Sequence, residues 1–355
     1  MISGLNNLFA EKVCWDSIVK DLIKDPLQFE DCLLKIHFKR QKQLSEVERG
    51  RIIKFLYLGY CETKDVRYFN ELLWFFGNGQ EKNEFLISAK EKYYSNLDEN
   101  KCHRIPSHWD VSEIEKAKGV YSDNEVNIKP MRICLIGFPP FFGRITRSLR
   151  KDGHFVQQYF LPYHKKQHIS YLLKLGIAVK FWSYISGNFY SYKTLKLSPK
   201  DEELGNIIRA GNFDIGFHKL NFIIKENIFG AFKMGLLNDH WGLLPLMRGR
   251  STIAYSLLLR VPVISTIHLV TSGIDEGPIV NFYPLDISGT RNLNQIRNKA
   301  RQTMPERIIS SIKQAGSKEF RLMENPKQQG YTFYEMHPWI TKHVSEHILT
   351  KMYQS

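Results

Sequence analysis

The 355-residue chain carries 50 Lys and Arg against 36 Asp and Glu, a net charge of +14, with 43% hydrophobic residues and five cysteines. At roughly 150 residues per domain the length holds about two cores, and the ordinary apolar fraction excludes wholesale disorder, collagen-like repeats and a coiled coil. Cys14, Cys32, Cys61, Cys102 and Cys134 are odd in number and form no C-x-x-C, so neither a disulfide framework nor a thiolate zinc site is readable.

The N-terminus has no basic stretch followed by an apolar segment, and no apolar run approaches about 18 residues. The expectation is a cytoplasmic protein without a membrane span. Residues 1–130 hold 20 basic and 21 acidic residues, and residues 131–355 hold 30 and 15. The whole positive excess therefore lies in the second part, in groups around Arg144, Arg147, Arg150, Lys151, Lys165 and Lys166 and between Arg291 and Arg321. A solvated helix face and a site for a small anionic substrate are the two readings of such charge. Confinement to one segment argues against nucleic acid, which the overall charge would otherwise raise.

From Leu5 to Asn96 apolar residues recur at three-to-four spacing, as in Trp15, Ile18 and Leu22 and again in Ile52, Ile53 and Leu56. This predicts an all-helical domain over 1–96. The aromatic run Leu72-Leu73-Trp74-Phe75-Phe76 reads as core. A homodimer or protein contact through these helices is left open. Residues 97–130 are polar, carry Pro106 and a Ser-Asp-Asn turn, and read as a linker.

Strand patterns begin at residue 132 (Arg-Ile-Cys-Leu-Ile-Gly), with others predicted at 154–161, 178–182, 213–217, 235–238, 263–270 and 279–283. Helices are predicted at 144–151, 201–210 and 252–259. The alternation predicts an α/β, three-layer, Rossmann-like, mostly parallel sheet over 131–288. Two further helical patterns, 293–314 and 341–352, predict a C-terminal helical extension over 289–355 packing on it. Ligands of such sheets gather at the carboxyl ends of the strands. The loop after the first strand is no dinucleotide fingerprint, because Pro139 stands where the second glycine belongs. His240 lacks partners at metal-ligand spacing, so no metal is expected.

The chemistry-bearing stretch is Asn238-Asp239-His240-Trp241-Gly242-Leu243-Leu244-Pro245, then Arg248-Gly249, then Thr266-Ile267-His268 and Gly273-Ile274-Asp275-Glu276-Gly277-Pro278. Asn238 and His240 stand two apart where a strand ends, so both side chains can enter one cleft. Asp275 sits in a glycine-rich turn that can approach them. An amide can donate to a developing oxyanion, an imidazole can shuttle a proton, and a carboxylate can hold the imidazole in its working state. Such a trio suits acyl transfer to an amine.

The ordered string N-x-H-x-x-L-L-P, R-G, T-I-H-x-V and I-D-x-G-P-I-V resembles the 10-formyltetrahydrofolate-dependent formyltransferases, over residues 131 to about 286. Gln328 to Tyr334 adds a weaker match, and residues 1–130 are not covered. The resemblance implies a formyltransferase fold and 10-formyltetrahydrofolate as formyl donor. It implies that Asn238 binds the formyl oxygen, that His240 assists collapse of the tetrahedral intermediate, and that Asp275 sets the His240 charge and relays the amine proton. It also implies a folate cleft lined by main chain at Phe217, His218, Leu220 and Asn221 and at Val270, Thr271, Gly273 and Ile274. Phe141, Arg144, Trp241 and Arg248 are the candidates for the acceptor side.

Trp241-Gly242 departs from the family's usual Pro-Ser. Trp241 either shapes the acceptor pocket or packs under the loop. Asp239 replaces a usual apolar residue, and if it points inward it raises the His240 pKa. About 68 residues after Ile287 are short for the extra domain of the tRNA enzymes, and Phe138-Pro139-Pro140-Phe141-Phe142 is too bulky for the phosphate loop of the glycinamide ribonucleotide enzymes. The acceptor expected by elimination is a small anionic amine, a nucleotide-linked amino sugar. Hydrolysis of the donor, transfer to a tRNA, peptide or natural-product amine, and a non-catalytic scaffold are the alternatives.

Overall fold

A computed structural model of the protein describes residues 26–40, 43–76, 83–98, 129–137, 142–161, 192–195, 197, 202–220, 222–317 and 321–348. The strand expected at 178–182, most of the linker at 97–130, Phe141 and Asn221 lie outside them.

Among the described residues four helices come first: α1 (Pro26–Lys39), α2 (Glu46–Thr63), α3 (Val66–Phe76) and α4 (Glu84–Asp98). Helix α2 starts where Ser45 and Glu48 form a capping box, two donors satisfied reciprocally at the helix mouth. It stops where Lys64 turns left-handed and its N–H reaches the Tyr60 carbonyl.

The α/β part follows with β1 (Arg132–Ile136), α5 (Gly143–Lys151), β2 (Phe155–Phe160), β3 (Tyr192–Thr194), α6 (Glu202–Ala210), β4 (Ile215–His218), α7 (Glu226–Phe229) and β5 (Leu236–His240). Then come β6 (Met247–Gly249), α8 (Thr252–Leu258), β7 (Ile264–Leu269), β8 (Ile279–Pro284), α9 (Leu293–Gln302), α10 (Met304–Ala315), β9 (Tyr331–Phe333) and α11 (Pro338–His343). Seven strands form one sheet in the order β3-β2-β1-β4-β5-β7-β8. Neighbours from β3 to β5 are parallel, and β7 runs antiparallel to both β5 and β8. This is the mostly parallel, helix-covered sheet that the alternating pattern predicts.

Both faces are covered. Ile133, Leu135, Phe217, Leu237 and Ile267 pack with Ile145 and Leu149 of α5 and Ile308 and Ile312 of α10. Cys134, Ile136 and Leu236 pack with Leu204 and Ile208 of α6 and Ile228 of α7. A third apolar cluster joins Leu33, Phe69 and Leu72 of the first helices to Tyr255 of α8, Phe333 of β9 and Ile340 of α11. The chain from 26 to 98 and the C-terminal segment therefore share one core.

The single helical pattern read over 293–314 is two helices. Pro305 stands in the first turn of α10, where its missing N–H is harmless, whereas inside a continuous helix it would break the ladder. The three-residue strands β6 and β9 pair parallel as a separate two-stranded sheet. They escape the sequence reading because three residues carry no period.

Candidate active site

In β5, alternate residues face opposite sides of the sheet. Asn238 and His240 share one side, and Asp239 takes the other. Register places His218 of β4 and His268 of β7 directly beside Asn238, so a row of polar side chains crosses three strands near their ends. Asn238 Nδ2 lies 3.1 Å from His268 Nε2 and 3.4 Å from Asp275 Oδ1. The other His268 ring nitrogen faces the Leu269 carbonyl at 2.8 Å. That nitrogen donates, and Nε2 faces both the Asn238 amide and, at 3.3 Å, Asp275 Oδ1.

His240 is buried, and its Nε2–H donates to the Met247 carbonyl at 2.7 Å. Its Nδ1 lies 3.2 Å from Asp275 Oδ2. Burial lowers the His240 pKa below the usual imidazole value, with Asp275 pulling the other way. Asp275 has a left-handed φ of 52°, and Asn325 Nδ2 ties its carbonyl and that of Gly277 at 2.8 and 2.7 Å. Its Oδ2 accepts the Gly249 N–H at 2.8 Å. Burial would raise the Asp275 pKa, but His240, His268 and the Gly249 N–H outweigh it and hold the carboxylate well below its usual range. Gly249 is obligatory here: its φ is 93°, and a Cβ would meet the Phe333 carbonyl oxygen at 2.1 Å.

The structure thus brings Asn238 and His240 each within hydrogen-bond reach of Asp275. It adds His268, which register reveals and the linear motif does not. His218 stands in the same row, its pKa lowered to about 3 by burial, Lys219 and His268. Contrary to the expected folate lining, the Phe217 side chain is wholly buried in the sheet core and its main chain lies in β4 between β1 and β5. Val270 donates its N–H to Leu236 O at 2.7 Å. Among the described residues, the backbone groups of Thr271, Gly273 and Ile274 make no main-chain hydrogen bond. Leu220 donates its N–H to His218 Nδ1 at 3.3 Å.

Two expectations change. Arg248 is 1% exposed and donates to the carbonyls of Pro245, Lys327 and Gly330. It is a staple between β6 and the segment before β9, and has no face for an acceptor. Asp239 does not point at His240. On the opposite side of the sheet it accepts from Arg307 at 2.9 Å and from Trp241 Nε1 at 2.9 Å, binds Ser265 Oγ, and lies 3.7 Å from Lys219 Nζ. Strand alternation explains it: a neighbour in sequence is on the other face.

Trp241 is half-buried, with Lys219 Nζ 4.4 Å and the Arg301 guanidinium 5.8 Å from its ring centre. Arg144 is exposed and paired with Glu306 at 2.6 Å. Lys219, Arg301 and Arg307 carry no motif that links them in sequence, because they come from three separate elements. Among the described residues no group of three or more His, Cys, Asp or Glu is placed to hold a metal ion, and no helix is long and apolar enough to cross a membrane.

No protein-family model matches the chain. It is 25% identical over 192 residues to a methionyl-tRNA formyltransferase of Pelagibacter ubique, covering 51% of this chain and 58% of that protein. It is 23% identical over 127 residues to formyltetrahydrofolate deformylase 2, mitochondrial, of Arabidopsis thaliana, covering 36% and 38%. The chain thus spans about half the length of the curated relatives it matches. Among solved structures, a sugar N-formyltransferase from a Shewanella species is similar at 16% identity with a TM-score of 0.44, over 57% of this chain and 76% of that one.

Proposed function

We propose that the protein is an N-formyltransferase that moves the formyl group of 10-formyltetrahydrofolate to a primary amine. The observation that carries this is the mutual geometry of Asn238, His240 and Asp275, with His240 and Asp275 both anchored on β6. The donor supplies an activated formyl carbon on N10. Asn238 has its amide donor at the strand end, and its 3.4 Å contact to Asp275, at the limit of hydrogen bonding, is the one a formyl oxygen displaces. There the amide stabilises the oxyanion as the amine attacks. His240 keeps Nε2–H on Met247, so Nδ1 is the nitrogen that takes and returns the proton. Asp275, ionised at rest, relays the amine proton to Nδ1 and, ionised again, holds the imidazolium so formed. Transfer ends with the formyl carbon on the amine nitrogen and a proton on N10. The free backbone edge at 271–274, beside Asn238, suits the donors and acceptors of a pteridine ring.

For the acceptor we infer a small anion, and a nucleotide-linked amino sugar fits it. The support is the opposite side of the same strand end. Lys219 and Arg301 flank the Trp241 indole, and Arg297 stands one turn from Arg301 on α9. The Asp239 carboxylate there is already shared with Arg307. Burial, and after it the neighbouring Arg301 cation, lower the Arg297 pKa. An aromatic plane between cations offers stacking for a base and charge for a phosphate. Arg301→Ala should raise the acceptor KM about tenfold, from the loss of one charge-assisted bond, with donor KM and kcat unchanged. Steady-state kinetics with each substrate varied in turn checks it.

The activity itself is tested by giving the purified protein 10-formyltetrahydrofolate and a panel of nucleotide-linked amino sugars. Tetrahydrofolate should appear only with the right amine. Release without any amine would move the reading to hydrolysis, and no release at all would sink both.

A further inference from the structure

We propose that the N-terminal helices hold the catalytic pair in place: Glu30 of α1, with Arg67 of α3, is a positioning residue that fixes β6, and β6 fixes His240 and Asp275. The inference rests on the chemistry proposed above for that pair.

Both catalytic side chains end on main-chain groups of one three-residue strand. His240 donates to Met247 O, and Asp275 accepts from Gly249 N. Strand β6 belongs to no larger sheet, because β9 is its sole strand partner among the described residues. Two strands of three residues do not hold a register by themselves. The inner edge of β9 is used, with Tyr331 N–H on Leu246 O at 2.9 Å and Arg250 N–H on Phe333 O at 2.7 Å.

The outer edge of β9 faces the N-terminal helices. There the Thr332 N–H, which no strand can take, donates to Glu30 Oε1 at 2.7 Å, across 302 residues of sequence. The other Glu30 oxygen accepts from Arg67 NH1 at 2.5 Å. Arg67 is 1% exposed, holds Asp65 with its remaining donors, and lays its guanidinium plane 3.6 Å from the centre of the Tyr331 ring. Glu30 and Arg67 therefore grip one residue of β9 by its backbone and the preceding one by its ring. Asn70, one turn further along α3, accepts from His337 N at 2.7 Å and donates to Glu335 O at 3.2 Å, fixing the chain as it leaves β9.

The path from Glu30 to His240 is thus continuous: carboxylate to the Thr332 backbone, Thr332 to its register partner Arg248 in β6, and the residues flanking Arg248 to the two catalytic groups. Displacements on the order of 1 Å in a catalytic group cost about a hundredfold in rate, so a slackened β6 is felt in kcat before it is felt in binding.

The test uses the full chain. Glu30→Ala should lower kcat tenfold or more, with the KM of donor and acceptor within twofold of wild type and the circular dichroism spectrum unchanged. The His240 Nε2–H proton, held by Met247, should exchange at least tenfold faster by NMR. Glu30→Gln, whose amide oxygen still accepts from Thr332, should recover most of both losses. A folded Glu30→Ala protein with wild-type kcat and wild-type His240 exchange overturns the inference. If Glu30→Ala does not fold, the same two readings on Arg67→Lys decide, since lysine keeps the charge and loses the plane on Tyr331; unchanged values there overturn it equally. A wild-type protein without formyl transfer refutes the proposed reaction, and the His240 exchange rate then decides the role of Glu30 separately: faster exchange in Glu30→Ala supports it and wild-type exchange overturns it.

Discussion

His240→Ala is expected to lower formyl transfer by about 10²–10⁴-fold, the range for a positioned acid or base, and Asn238→Ala by about 10²–10³-fold, the range for one oxyanion donor. The two effects should not add, because Asn238, His240 and Asp275 act as a unit in the proposed mechanism. The alanine also strands the Met247 carbonyl in a buried site, a fold cost of about 1–3 kcal/mol. His240→Gln separates the two, since its amide can still donate to Met247 while carrying no proton to and fro. Loss of turnover in the glutamine variant with an unchanged melting temperature assigns the loss to chemistry; turnover near wild type would remove His240 from the mechanism. The pH profile gives an independent check. Burial holds the His240 pKa below the ordinary imidazole value, so the base form prevails at neutral pH. The acid limb of kcat/KM should fall below pH 6.5, and Asp275, depressed further by His240 and His268, should add no limb above it.

Periodicity recovers the inner part of the sheet where a strand is buried on both sides and reads as an apolar run, as at 133–136. The shared face of Asn238 and His240 is legible because strand alternation makes a two-residue spacing one side, whereas the approach of Asp275 is set by the fold. Residue contributions set by register across strands stay hidden in the linear sequence: His268 reaches the site through its pairing with Asn238. The same holds for charge. Lys219, Trp241 and Arg307 meet at Asp239 from the end of β4, the turn after β5 and α10, with Arg301 of α9 against the Trp241 ring, and only the fold shows that the carboxylate next to His240 in sequence serves the opposite face. Arg248, a substrate contact by its place after the motif, is spent on three carbonyls. The N-terminal helices carry no site signal in sequence, since Glu30 and Arg67 matter through a backbone N–H 302 positions away from Glu30.

Asp239→Ala should be among the most destabilising single changes in the α/β part. Asp239 is wholly shielded, and removing it leaves Arg307, itself 3% exposed, with its cation buried and the carboxylate at 2.9 Å gone. Breaking one partner of a buried pair costs about 3–5 kcal/mol, which for a chain of this size lowers Tm by roughly 4–7 °C. Replacing both partners, Asp239→Asn with Arg307→Met, should recover much of that, because the one cation left without the carboxylate is the partly exposed Lys219. Acid should mimic the single change. Burial favours the protonated form of Asp239, but Arg307 and Lys219 outweigh it and hold its pKa well below the usual value. A depressed carboxylate stabilises fully above its unfolded pKa of about 4 and loses that stabilisation as pH falls towards the folded value. Wild-type Tm should therefore fall more steeply below about pH 4 than that of Asp239→Asn, and parallel curves would show that the ion pair contributes nothing to the pH dependence. The same carboxylate holds the Trp241 indole and stands beside Lys219. Asp239→Asn, measured well below its Tm, should therefore raise the KM for the anionic acceptor while the donor KM stays put. An equal rise in both would place Asp239 in the support of the whole strand end.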